Sequence, residues 1–187
     1  MKGIKFLNSL SRWEKSTNAF SPLEIPKKLL AQLDNPQDKY KTIHVAGTNG
    51  KGTTCALFAE VLKQEGFKVG LFTSPHLIDV TERCRINNES IEIEKFNQSI
   101  EQVAELVDWK SDAITYFVAT AIASFLCFKT EQVDYAVIEV GLGGLYDATN
   151  VIRKPELTVI TNIALDHTDV LGDNIKDIAI NLSLIHI

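Results

Sequence analysis

The residues best suited to chemistry lie in one glycine-rich stretch, HVAGTNGKGTT at residues 44–54. Glycines let backbone N–H groups approach a phosphate, and a lysine adds a full positive charge. The usual phosphate-binding loop has a glycine, four free positions and then Gly-Lys-Ser/Thr. Here a valine stands at the leading-glycine position, and Gly52 separates Lys51 from the hydroxyls of Thr53 and Thr54. The stretch predicts a modified phosphate loop with one threonine on a phosphate-bound Mg²⁺, and a glycine-rich hairpin is the alternative.

Three later stretches carry further polar residues that can bind phosphate or metal. Ser74 precedes a proline, Glu139 ends an apolar run, and Asp166 and His167 follow another such run. A carboxylate at the end of a buried strand is costly unless it is paired or bound to a metal. Oxygen ligands with one imidazole suit Mg²⁺ or Mn²⁺ better than Zn²⁺, which prefers several nitrogen or sulfur ligands. These residues predict an ATP·Mg²⁺ site, while an ordinary turn at Ser74 and a structural ion pair at Glu139 stay open.

The apolar pattern places these residues at the ends of predicted strands. Strands are predicted at 40–46, 67–73, 133–140 and 157–161, the last two covered on both faces. After a polar N-terminal segment, helices are predicted at 26–33, 53–65, 96–107 and 115–128. Strands that alternate with helices indicate an α/β fold, with a mainly parallel sheet and helices on both faces. In such sheets ligands bind at the carboxyl ends of the strands, where the candidate residues lie.

The composition is that of a globular protein without a polyanion-binding surface. Hydrophobic residues make up 45% of the 187 residues, and the net charge of −5 does not favour nucleic acid or an anionic membrane. The longest apolar run, 116–128, is shorter than the ~20 residues of a membrane helix. Cys55, Cys84 and Cys127 are widely spaced and odd in number, which indicates reduced thiols. We expect a cytoplasmic monomer with no nucleic-acid or membrane partner.

Four motifs, in order, resemble the folylpolyglutamate synthase/dihydrofolate synthase family, a branch of the Mur-type ATP-dependent amide ligases. They lie between residues 39 and 177 and read HVAGTNGKGTT, LFTSPHLIDVTERCRIN, VIEVGLGG..DATNV and TNIALDHTDVLG. The resemblance implies the Mur ligase central-domain fold with ATP and Mg²⁺ as cofactors. It implies ligation of L-glutamate to dihydropteroate, or to the γ-carboxylate of a folate, through an acyl phosphate. The Glu82–Arg83 pair after TSPHL favours this folate branch over a cell-wall ligase.

The resemblance also implies a role for each matching residue. The phosphates would be held by Gly47, Thr48, Asn49, Gly50, Lys51, Gly52, Thr53 and Thr54. Mg²⁺ would be held by Thr53, Ser74, Glu139 and His167, and the catalytic residues would be Lys51, Glu139 and His167. The pterin would be lined by Thr115, Tyr116, Phe117, Tyr146, Asp147 and Ala148. An aromatic ring there would stack on the flat pterin, although Tyr116 and Phe117 could equally be core residues.

The sequence departs from the family at several positions. Val118 stands where family members carry an acidic residue, and Leu145–Tyr146 where they carry Arg–Leu. Leu182 stands where the family has a lysine that becomes carbamoylated and supports the metal centre. The family's C-terminal domain, which completes the adenine, ribose and glutamate sites, has no counterpart in residues 1–187. We expect an incomplete N-terminal ATPase domain, and a non-catalytic Mg·ATP-binding module is the alternative to a ligase.

Overall fold

The structure, a computed structural model, describes residues 1–11, 23–108 and 114–186. Its centre is one sheet of six strands, β1 (Lys41–Ala46), β2 (Val69–Phe72), β3 (Cys84–Ile86), β4 (Glu89–Ser90), β5 (Tyr135–Glu139) and β6 (Leu157–Ile160). The strand order is β4-β3-β2-β5-β1-β6. Strands β2, β5, β1 and β6 run parallel, whereas β3 and β4 form an antiparallel edge. The predicted mainly parallel sheet is confirmed, and four carboxyl strand ends meet along one side of it.

Helices cover both faces of this sheet. The described residues form α1 (Lys2–Ser9), α2 (Glu24–Gln32), α3 (Lys51–Gln64), α4 (Ile93–Leu106), α5 (Tyr116–Thr130), α6 (Thr168–Leu171) and α7 (Ile175–Ser183). Helix α3 packs on β1, β2 and β5 from one side. Helices α4 and α5 cover the other side, and α1 and α2 pack against them. This arrangement confirms the predicted α/β architecture.

The side chains of β5 show how the two cores form. Val137 packs with Cys55 and Ala59 of α3, whereas Ala136 and Ile138 belong to the cluster built on α5. Successive side chains of a strand point to opposite faces, so one strand supplies both cores. The apolar run VDYAVIEV is therefore a strand covered on both sides, as predicted.

The longest apolar run of the sequence forms the buried helix α5. The Thr115 hydroxyl caps it by accepting a hydrogen bond from the Val118 N–H at 3.3 Å. No helix in the part of the chain that the structure describes has the length and hydropathy of a membrane span. Cys55, Cys84 and Cys127 are buried and free, which agrees with the predicted reduced thiols.

Several elements differ from the prediction, and β3, β4, α6 and α7 were not predicted at all. Before residue 26 the sequence predicted only a polar segment, but α1 forms there and buries Leu7 completely. Residues 12–22 of that segment lie outside the described residues. Strand β6 was predicted to be covered on both faces, yet Leu157 is 42% exposed and the rest of the strand is only half-buried. Strand β6 is an edge strand that pairs with β1. Its side chains are more exposed than those of the inner strands β1, β2 and β5.

Candidate nucleotide-binding site

The glycine-rich stretch forms the turn between β1 and α3. Strand β1 ends at Ala46 and α3 begins at Lys51. Gly47 and Gly50 have φ angles of 139° and 79°, in the region that favours glycine. The first N–H groups of a helix have no partner within the helix and carry partial positive charge. The predicted strand–loop–helix arrangement is confirmed, and its geometry suits a phosphate group.

Lys51 lies on the first turn of α3 and reaches back over the loop. Its Nζ donates to the carbonyl oxygen of Gly47 at 2.8 Å and lies 3.3 Å from that of Thr48. The hydroxyl-bearing Thr53 is exposed on the same helical turn. A phosphate entering the loop would therefore meet a full positive charge, the N-terminal end of α3 and a hydroxyl.

Glu139, the last residue of β5, lies beside this turn. Its side chain is 5% exposed, and Oε2 accepts a hydrogen bond from the Ser74 N–H at 2.8 Å. A Cβ atom added to Gly52 would lie 3.4 Å from Oε1, which shows how closely α3 begins beside the carboxylate. Burial raises the pKa of Glu139, and the Ser74 N–H and the charge of Lys51 oppose that rise. The structure thus brings together the loop, Ser74 and Glu139, as the sequence predicted.

The surroundings of Glu139 fit a divalent cation. Across the described ranges, no ion pair within 4.0 Å includes this carboxylate, which does not support the alternative of a structural ion pair. A nearly buried carboxylate without a bonded cation is unfavourable in a protein interior, and an oxygen-seeking cation would offset that cost. Thr53 and Ser74 supply hydroxyl groups in the same region, so these residues fit Mg²⁺.

His167, the fourth predicted metal ligand, is exposed. It precedes α6 with a φ of 46°, and its Nε2 lies 3.8 Å from Asp166 Oδ2. No recorded hydrogen bond or ion pair joins it to Glu139. Within residues 1–11, 23–108 and 114–186, no group of three or more His, Cys, Asp or Glu side chains is placed to hold a metal. The predicted set contains two such residues, and His167 as a ligand stays a prediction.

The segment after β6 holds the first half of the phosphate loop. The Thr48 N–H donates to the Asn162 carbonyl at 3.0 Å, and the Asn49 N–H donates to Asn162 Oδ1 at 2.8 Å. The Thr48 hydroxyl accepts from the Ala164 N–H at 3.0 Å and donates to the Ala164 carbonyl at 3.2 Å. The Thr161 hydroxyl donates to the Asn49 carbonyl at 2.7 Å. We call residues 161–164 the strap. Its bonds occupy two N–H groups that the sequence had assigned to phosphate.

Asp147, predicted to line the pterin, has both carboxylate oxygens hydrogen-bonded within the protein. It accepts hydrogen bonds from the N–H groups of Gly141 and Leu142 at 3.0 Å each. The other oxygen accepts from the N–H and the hydroxyl of Thr149. Since that hydroxyl donates to Asp147, it accepts from His44 Nε2 at 2.8 Å. Burial raises the pKa of Asp147, and burial also lowers the pKa of His44 to about 3. The contacts of Asp147 fix the glycine loop that follows Glu139.

The two predicted aromatic residues lie near the same strand ends. Tyr116 is 4% exposed, and the Arg83 guanidinium carbon lies 5.3 Å from its ring centroid. Arg83 Nε donates to His76 Nδ1 at 2.8 Å. Phe117 packs against Gly141, where an added Cβ would lie 2.4 Å from the ring. The sequence analysis used Arg83 only to favour the folate branch and gave no site role to it or to His76, although both lie in the motif LFTSPHLIDVTERCRIN.

The other predicted pterin residues have different surroundings. Thr115 serves as the cap of α5. Ala148 is buried, whereas Tyr146 is 48% exposed beside the glycine loop. The role of all six residues toward a pterin stays a prediction.

Leu182, at the position of the family lysine, is a core residue. It is 2% exposed. Next to it on α7, Asn181 Oδ1 accepts a hydrogen bond from the Gly144 N–H at 3.0 Å. The apolar cluster that contains Leu182 is completed by Ala46, Val140, Leu171, Ile178 and Ile185. Helix α7 thus supports the glycine loop through packing and one side-chain bond.

Comparison with known proteins agrees with this arrangement. The family model described as Mur ligase middle domain matches residues 45–185. The chain belongs to this family. It is 46% identical over 154 residues to a folylpolyglutamate synthase of Arabidopsis thaliana, a match that covers 80% of this chain and 25% of that protein. It is 41% identical over 158 residues to the dihydrofolate synthase/folylpolyglutamate synthase of Bacillus subtilis (strain 168), covering 82% and 36% of the two chains.

A solved structure extends the match in three dimensions. E. coli FolC in complex with DHPP and ADP is similar with a TM-score of 0.88 at 34% identity. The match covers 98% of this chain and 43% of FolC. The resemblance inferred from the four sequence motifs is confirmed. The chain spans 25% to 43% of the length of these three relatives.

Proposed function

We propose that this chain forms the Mg·ATP-binding part of a ligase that joins L-glutamate to dihydropteroate or to the γ-carboxylate of a folate. The observation that carries the proposal is the placement of the glycine loop, Ser74 and Glu139 at neighbouring strand ends. The names of the relatives, folylpolyglutamate synthase and dihydrofolate synthase, support the substrate class. The ADP in the FolC complex supports the nucleotide. A cytoplasmic, monomeric protein remains our prediction.

The proposed reaction overcomes the poor reactivity of a carboxylate. A carboxylate oxygen of the pterin substrate attacks the γ-phosphorus of ATP, and ADP leaves. The amine of glutamate then attacks the acyl carbon of the acyl phosphate, and inorganic phosphate leaves with the oxygen. Neither step requires a covalent bond to the protein, so the protein acts by positioning the reactants and neutralising their charge.

The residues of the loop would divide these tasks. Lys51 and the first N–H groups of α3 would hold the phosphates, while Gly47 and Gly50 permit the turn. Thr53, Ser74, Glu139 and His167 are the residues that would hold Mg²⁺. When bound, Mg²⁺ supplies charge neutralisation at the phosphate oxygens.

Leu182 favours a second candidate function, a non-catalytic Mg·ATP-binding module. The resemblance implies a metal-supporting lysine at this position, and here an apolar side chain is packed in a core cluster. A module of this kind would keep the phosphate loop and bind nucleotide without turnover.

Nucleotide binding by a lysine variant tests the phosphate loop. Lys51→Ala removes the full positive charge over the loop, and we expect the Mg·ADP affinity to fall by more than about tenfold. Isothermal titration calorimetry measures the change. Lys63→Ala, in the last turn of the same helix, is the matched control and should bind like the wild type. An unchanged affinity in Lys51→Ala would contradict the phosphate-loop assignment.

Turnover separates the two candidate functions. The wild-type chain is incubated with ATP, Mg²⁺, dihydropteroate and L-glutamate, and the release of ADP and phosphate is measured. Release that requires both substrates supports the ligase. Binding of Mg·ADP without release supports the module, and the absence of binding contradicts both.

A further inference from the structure

The phosphate loop is held from outside by the strap, residues 161–164. The strap continues from β6, which is paired with β1 in parallel, so it leaves the sheet beside the loop that leaves β1. At the start of the loop the fit is close, because an added Cβ at Gly47 would lie 2.0 Å from the Thr161 hydroxyl. The φ of 139° also favours glycine, so both the backbone conformation and the lack of space for a Cβ atom favour glycine at position 47.

Asn162 makes the central contacts of the strap. Its carbonyl accepts from the Thr48 N–H at 3.0 Å, and its side-chain Oδ1 accepts from the Asn49 N–H at 2.8 Å. Two consecutive loop amides are therefore bonded to the strap. The next backbone amides are those of Gly50 and of the first turn of α3, which follow this fixed point.

We infer that Asn162 is a positioning residue for nucleotide binding, which fixes the first half of the phosphate loop so that the N–H groups at the start of α3 face the phosphates. The inference rests on the proposed nucleotide function. A loop that is ordered before binding loses less conformational entropy when the ligand arrives, which raises affinity. Asn162 needs no contact with the nucleotide to have this effect.

The strap also provides a physical connection to His167. The Thr48 hydroxyl accepts a hydrogen bond from the Ala164 N–H and donates one to the Ala164 carbonyl. Ala164 lies three residues before His167, the predicted metal ligand.

The test compares Asn162→Ala with Asn174→Ala in the full 187-residue chain. The side chain of Asn174 accepts a comparable hydrogen bond, from the Asp177 N–H at 3.0 Å, but it caps α7. Both residues are exposed, so both variants should fold. For each protein we would measure Mg·ADP affinity by calorimetry, hydrogen exchange of the Asn49 amide without ligand, and the thermal midpoint.

The expected result is specific to Asn162→Ala. Its Mg·ADP affinity falls about 2- to 10-fold, the range of one lost hydrogen bond, and the Asn49 amide exchanges faster. Its thermal midpoint should not fall below that of Asn174→Ala, which binds Mg·ADP like the wild type. Wild-type affinity in Asn162→Ala, or an equal loss in Asn174→Ala, would overturn the inference while the proposed function stands. Absence of Mg·ADP binding by the wild type would instead overturn the proposed function, and this inference with it.

Discussion

At the scale of single residues, His44 is a histidine that the fold keeps neutral. It is 1% exposed on β1, an inner strand of the sheet, and its Nε2 bonds the Thr149 hydroxyl. Burial lowers its pKa to about 3, whereas the unfolded chain has a histidine pKa of about 6.5. The unfolded state therefore binds more protons between these values. The stability that depends on neutral His44 is fully present above about pH 6.5. It is lost as the pH falls from there toward the folded-state pKa.

Replacing this histidine should flatten the acid side of the stability curve. His44→Gln keeps an amide donor near the position of Nε2 but cannot titrate. Between pH 7 and pH 5, the free energy of unfolding of the wild type should fall by about 2 kcal/mol more than that of His44→Gln. Urea denaturation at several pH values measures this difference. Parallel curves for wild type and His44→Gln would show that His44 titrates normally in the folded state.

Residue chemistry identified the parts of the site that lie next to one another in sequence. The glycines and Lys51 were predicted from a single stretch, and Glu139 from its place at the end of an apolar run. Asn162 was not predicted, because its partner Asn49 lies 113 residues away and an asparagine after a strand gives no sign of it. Asp147 was assigned to the pterin by resemblance, and its hydrogen bonds to the N–H groups of Gly141 and Leu142 add a second role, in fixing the backbone, that the sequence did not predict.

At the scale of elements, α7 supports the site by apolar packing. Leu182 lies in a cluster with Val140, the residue that directly follows Glu139. A lysine at position 182 would place an ammonium group among these apolar side chains. Burying a charge without a partner is unfavourable. The packing of α7 in this chain is therefore matched to leucine.

Two substitutions test the placement of α7. Leu182→Lys should lower the free energy of unfolding by about 3–5 kcal/mol, since an uncompensated charge becomes buried. Leu182→Met conserves volume and polarity and should cost less than about 1.5 kcal/mol. Both values come from urea denaturation at neutral pH. Equal stability of the two variants would mean that the side chain at position 182 lies outside the core.

Helix existence was predicted better than helix surroundings. The sequence predicted α3 but not its buried side, because Leu57 and Val61 are 64% and 60% exposed while Cys55 and Ala59 are buried. Small residues allow α3 to approach the sheet closely, and apolar periodicity alone does not show this. Helix α1 was not predicted, because contacts with a distant part of the sequence support it. Its first N–H groups are capped by side chains of α4, with Glu101 accepting from Gly3 and Lys2.

At the scale of the whole molecule, the parallel sheet creates the site. Adjacent strands β2, β5, β1 and β6 end on the same side, so residues from four distant stretches of sequence meet there. Alternation of strands and helices was sufficient to predict this meeting, because parallel sheets bind ligands at their carboxyl ends. The strand order itself, and the β3–β4 hairpin, depend on long-range pairing that periodicity does not reveal. The sheet alone does not bring His167 into contact with Glu139, so its role stays a prediction.

The account depends most on Glu139 holding a divalent cation next to the nucleotide. The direct test is calorimetric titration of AMPPCP, a non-hydrolysable ATP analogue, into wild type and Glu139→Gln, with and without Mg²⁺. Glutamine retains an acceptor for the Ser74 N–H, and the exposed Glu156→Gln variant is the control. We predict that the gain in affinity from Mg²⁺ falls by about tenfold or more in Glu139→Gln, with unchanged affinity in its absence. An equal gain from Mg²⁺ in both proteins, or an equal loss of affinity with and without Mg²⁺, would contradict the account.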